Sequence, residues 1–101
     1  MFFRSVIIYD YTRIYLEGEL ARVKHPVVRL AFGAHLRTLR EARGWSQQEL
    51  ADRADISKPT VYRIETARFS ATLDVLAALA QAMDIQLRDL VDFPSREVLL
   101  A

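Results

Sequence analysis

Two short stretches of this 101-residue chain hold the side chains that could do chemistry: Ser46-Gln47-Gln48-Glu49 and Ser57-Lys58-Pro59-Thr60-Val61-Tyr62-Arg63. Their chemistry is binding. Lys58 and Arg63 are cationic hydrogen-bond donors, and the flat guanidinium of Arg63 suits a paired acceptor edge such as guanine N7 and O6. Pro59 lacks a backbone donor but can pack on a thymine methyl, or it serves only as a first-turn helix residue. Tyr62 can hydrogen-bond a phosphate or lie near a sugar, and an exposed tyrosine with neither role is equally common. Gln47 can hold a phosphate together with the free backbone N–H groups of a helix start, or it is simply the residue after a cap.

Side chains for bond making and breaking are missing. The chain has no cysteine, which removes disulfides, thiolate zinc sites and cysteine nucleophiles. Its three glycines, Gly18, Gly33 and Gly44, are too scattered for a phosphate-cradling loop, and no serine sits in a nucleophile elbow. The two histidines, His25 and His35, have no carboxylate at ligand spacing, and His35 is assigned to a polar helix face. No metal, cofactor or enzymatic reaction is expected.

The elements that must position these residues follow from composition and period. Hydrophobic residues make up 51% and charged residues 27% of a chain with only 3 Gly and 3 Pro, a globular and helical balance. The formal net charge is only +1, so a polyanion partner requires local segregation of charge. Residues 1–34 carry +2, residues 35–70 another +2 and residues 71–101 carry −3, which turns the acidic third away from any phosphate. The apolar run Val75 to Met83 is too short to span a bilayer, and MFFRSVIIYDY lacks a signal-peptide pattern, so a soluble cytoplasmic protein is expected.

From Pro26 onward the spacing predicts five helices. The first carries Val28, Phe32, Leu36 and Leu39 at helical intervals and stops at Gly44. Ser46 with Glu49 forms a capping box, and Trp45 with Leu50 a hydrophobic staple, for a second helix from Gln47 to about Ala54. After a break at Asp55-Ile56, Ser57 caps a third helix running from Lys58 to about Thr66, with Val61 and Ile64 inward. Thr72 caps a fourth, with Leu73, Leu76, Leu79, Ala80 and Met83 inward, and a short fifth holds Leu87, Leu90 and Val91 before Phe93-Pro94. Residues 2–16, rich in β-branched and aromatic side chains, read as strand or as a leader. The boundaries expected are an extension over 1–26, a helical domain over 27–93 and a tail over 94–101.

Helices two and three are short, joined by a tight break and each opened by a serine, which is a helix-turn-helix pattern. The run FGAHLRTLREARGWSQQELADRADISKPTVYRIETARFS, followed by TLDVLAALAQAMDIQLRDLV, resembles the lambda-repressor and Cro family of DNA-binding domains, also called Xre-type. The resemblance covers about residues 30 to 92. It implies an all-α, five-helix domain in which Lys58, Pro59, Tyr62 and Arg63 face bases in the major groove. It further implies phosphate contacts by Ser46, Gln47 and Arg68, to which the capping residues Ser57 and Thr60 are added, and a structural ion pair between Arg40 and Glu65. Asp55, Asp84 and Ala67 stand where the family has glycine; Ala disfavours the left-handed conformation, so the exit after the third helix is expected to run differently.

The function expected is a sequence-specific transcriptional regulator, a repressor or autoregulator, binding double-stranded DNA at a two-fold operator as a homodimer. Leu87, Leu90, Val91 and Phe93 offer more apolar surface than so short an element can bury, a candidate dimer seam. The alternative is an antitoxin or adaptor that binds a protein partner through residues 2–16 and autoregulates through the helix-turn-helix.

Overall fold

The computed structural model describes residues 24–94; the strand expected over 2–16 and the last residues of the tail lie outside the described residues. Five helices follow one another: α1 (Pro26–Ala42), α2 (Gln47–Ala54), α3 (Lys58–Glu65), α4 (Leu73–Ala82) and α5 (Leu87–Leu90). Among the described residues there is no strand.

Each helix contributes to one core because its apolar residues recur every three or four positions and fall on one side. Leu36 of α1, Leu50 of α2, Val61 and Ile64 of α3, Leu79 of α4 and Leu90 of α5 are essentially sealed from solvent. Helices of eight residues, such as α2 and α3, are marginal in isolation, and this shared burial is what holds them.

The first four helices all stop by the same device. Gly44, Asp55, Ala67 and Asp84 take left-handed φ values of 70°, 55°, 60° and 55°. In each case the next amide reaches back five residues: Trp45 to Arg40 O, Ile56 to Ala51 O, Arg68 to Arg63 O and Ile85 to Ala80 O. Trp45, Ile56 and Ile85 then drop onto the core, the apolar contact that accompanies this motif. Ala67 therefore follows the path a glycine would take, against the expectation of a different exit. The 2.8 Å bond from Arg68 N to Arg63 O and the 3.1 Å bond from Ala67 N to Ile64 O offset a conformational cost of about 1–2 kcal/mol.

Four details depart from the sequence reading. Leu73, expected inward, is 68% exposed, because the packed stripe of α4 begins two and three residues later, at Val75 and Leu76. Glu49 does not complete the capping box: Ser46 Oγ accepts from Glu49 N, but the Glu49 carboxylate is taken by Arg53 one turn on. His35 is not on a polar face; its ring lies 5.8 Å from that of Phe93, which also packs on Phe32. Leu90 points into the core rather than outward, and Phe93 is half-buried, leaving Leu87 and Val91 as the exposed apolar residues of the α5 region.

Candidate nucleic-acid interface

The start of α3 is built by its serine. Ser57, in extended conformation, accepts from Thr60 N at 3.2 Å, and its hydroxyl meets that of Thr60 at 2.7 Å. Pro59, in the first turn, sacrifices no hydrogen bond, since that turn's N–H groups have no helical acceptor. At about 100° per residue, Lys58, Tyr62, Pro59 and Arg63 occupy an arc of about 140°, opposite Val61 and Ile64. All four are exposed while Val61 and Ile64 are sealed, so the helix is held from one side and presents the other.

α2 opens on a cap of the same kind, where Ser46 Oγ accepts from Glu49 N at 3.0 Å. A helix start carries N–H groups without helical acceptors and the positive end of the helix dipole, an arrangement suited to phosphate. Arg68 is also exposed, and its guanidinium lies 5.8 Å from the Tyr62 ring, a placement that follows from the left-handed turn at Ala67. The structure ties Gln47 to Glu65, Ser57 to Thr60 and Arg68 to Tyr62, and leaves Ser46, Ser57, Lys58, Pro59, Tyr62, Arg63 and Arg68 exposed, with Gln47 and Thr60 half-buried; Leu87 and Val91 are exposed in the α5 region.

Behind this surface lies an ion pair. Arg40 Nε and Nη2 donate to Glu65 Oε2 and Oε1 at 2.7 and 2.9 Å, and Arg40 Nη1 donates to Trp45 O at 2.7 Å. The two side chains are 10% and 2% exposed. Hydrogen bonding to Glu65 raises the Arg40 pKa against the opposing effect of desolvation, so the guanidinium stays charged inside the protein. Such a pair fixes geometry more than it adds stability.

Two features were not read from the sequence. Gln47 Nε2 donates to Glu65 Oε1 at 3.1 Å, so Gln47 is tied to the ion pair and is not merely a residue after a cap. Gly33 lets α1 and α3 touch: a methyl group there would sit 2.5 Å from Ile64 O and 2.9 Å from Glu65 O. An isolated glycine inside a helical pattern is the available signal for such an approach. Trp45 adds a third tie, with Arg53 and Arg43 guanidiniums 4.2 and 5.7 Å from its ring and Arg43 bonded to Leu39 O and Met83 O.

A capped pair of short helices at a tight turn, packed on α1 and α4 and exposing cations on the second, defines a DNA-binding helix-turn-helix transcription regulator of the Xre/Cro type. The profile of the helix-turn-helix domain family matches residues 31–93. The control protein C.BamHI of Bacillus amyloliquefaciens is 31% identical over 67 residues, 65% of this chain and 83% of that protein. The crystal structure of the restriction-modification controller protein C.AhdI from Aeromonas hydrophila superposes with a TM-score of 0.60 at 35% identity, covering 61% of this chain and 94% of that one. The clp gene regulator ClgR from Corynebacterium glutamicum gives 0.64 at 26% identity, covering 72% and 78%. The chain belongs to the helix-turn-helix domain family. No helix of the described residues is long and apolar enough to cross a membrane.

Proposed function

We propose that this protein is a cytoplasmic repressor or autoregulator that binds a two-fold operator as a homodimer, through residues 27–93 and without catalytic turnover. The observation that carries this reading is the exposed arc of Lys58, Pro59, Tyr62 and Arg63 on a helix whose other side is sealed into the core. Arg63 and Lys58 donate to base edges in the major groove, Pro59 packs on a thymine methyl and Tyr62 lies beside the sugar-phosphate edge. Ser46, Gln47, Ser57, Thr60 and Arg68 fix the register by holding phosphates. Similarity to a control protein, to a restriction-modification controller protein and to a gene regulator supports a role in setting expression of a gene.

One such domain reads only a few base pairs, so affinity requires a second copy. The exposed side chains of Leu87 and Val91 supply the seam, with Leu90 beneath them in the core and Phe93 behind. Val91 and Phe93 border a mostly apolar hollow of about 350 Å³, lined also by Val28, Arg29, Phe32, Phe69 and Leu76, which would receive a side chain of the second copy. Selection of bound sequences from a random duplex pool tests the reading. The expected result is a palindrome with half-site centres about 34–36 Å apart, near one turn of duplex; enrichment of a single asymmetric site, or of none, overturns it.

A further inference from the structure

Three helix ends meet at one buried carboxylate. Glu65, the last residue of α3, accepts from Arg40 near the end of α1 and from Gln47, the first residue of α2. A carboxylate only accepts, so the group that Gln47 turns toward it is the amide NH2, and the second N–H of that group is left to point elsewhere. Gln47 itself is half-buried beside the exposed Ser46 cap, at the opening of α2. Glu65, at 2% exposure, cannot reach a ligand.

We propose that Glu65 is a positioning residue for DNA binding: it holds the Gln47 carboxamide so that its free N–H is presented to a backbone phosphate. Arg40 is the third member of the device. A lone carboxylate behind Gln47 would repel the phosphate, and the bidentate guanidinium cancels that charge where water cannot screen it. The ion pair thus couples the register of α1, α2 and α3 to the phosphate contact, beyond its role in the fold. Holding the amide in place before DNA arrives also spares the side-chain entropy that would otherwise be lost on binding.

The inference rests on the DNA-binding reading above, and its test separates the two. Affinity for a random-sequence duplex at fixed low salt is measured for the full chain and for Gln47→Ala, with circular dichroism confirming the fold. Gln47→Ala is expected to lose about tenfold, the size of one hydrogen bond to a charged group. Two further variants lack the ion pair and differ only in whether an acceptor faces Gln47: Arg40→Met/Glu65→Leu and Arg40→Met/Glu65→Gln. The leucine variant should lose about as much as Gln47→Ala, and adding Gln47→Ala to it should cost less than about twofold more. The glutamine variant, which keeps an acceptor oxygen, should recover most of the loss.

Equal binding by the leucine and glutamine variants, or a full further tenfold from Gln47→Ala in the leucine background, overturns the proposal. If Gln47→Ala alone binds random duplex as the parent does, the phosphate contact itself is absent. The side-chain NH2 resonances of Gln47 in the unaltered chain give a readout independent of any variant. One proton should be protected from exchange with and without duplex, and the other should shift on binding. Two equivalent, unprotected protons contradict the proposal.

Discussion

The two sides of α3 differ in almost every respect. Inward, Val61 and Ile64 are sealed, Glu65 is held by three donors, and the backbone carbonyls of Ile64 and Glu65 lie against Gly33. Outward, Lys58, Pro59, Tyr62 and Arg63 are exposed, and the Arg68 guanidinium leans on the Tyr62 ring. An eight-residue helix supplies little stability of its own, so the inner side determines where it lies while the outer side remains free to be chosen for recognition. Stability and sequence preference are therefore separable by mutation, and four substitutions test how cleanly.

The largest effect belongs to the inner side. Glu65→Ala strands the buried Arg40 charge and should cost about 3–5 kcal/mol in a urea melt, whereas Arg40→Met/Glu65→Leu should cost far less. A similar loss from the single and the double variant would mean that packing, not an orphaned charge, sets the penalty. Gly33→Ala comes next. The added methyl meets backbone carbonyls that cannot swing aside, and forcing α1 from α3 should cost about 1–3 kcal/mol despite the better helix propensity of alanine.

On the outer side, Arg63→Ala should leave the urea midpoint unchanged. Its cost should fall on binding: about 1–3 kcal/mol on an operator, with preference relaxed at one base pair per half-site and little change on random duplex. A matched loss on both duplexes would place Arg63 on phosphate and merge the roles assigned to the two sides. The smallest effect is expected at the end of the helix, where Ala67→Gly relieves a left-handed alanine and should stabilise by about 1 kcal/mol in the same melt.

Much of this was legible in the sequence for identifiable reasons. The caps at Ser46, Ser57 and Thr72 are local, a side-chain oxygen answering an amide three residues away, so they place the starts of α2, α3 and α4 directly. The outward residues of α3 are those the family resemblance implies, and the helical period agrees with them, since Val61 and Ile64 fall on the opposite side. What escaped was long-range. The Gln47–Glu65 bond joins residues 18 apart, and the approach at Gly33 depends on which helix crosses α1. Leu73 and Leu90 were misplaced because a period gives the direction of a side chain relative to its own helix, not whether a neighbour covers it. The left-handed turn at Ala67 does not follow from residue preference, because two backbone bonds fix it.

The central claim, that the outer side of α3 lies against duplex DNA, is tested most directly by titrating the isotope-labelled chain with a selected operator and following backbone amide shifts. The account predicts that the largest changes fall at Lys58, Thr60, Tyr62 and Arg63 and at the Ser46–Gln47 helix start, with Leu73 and Asp84 unmoved. Changes concentrated on α4 and α5, with α3 silent at saturating duplex, would contradict it.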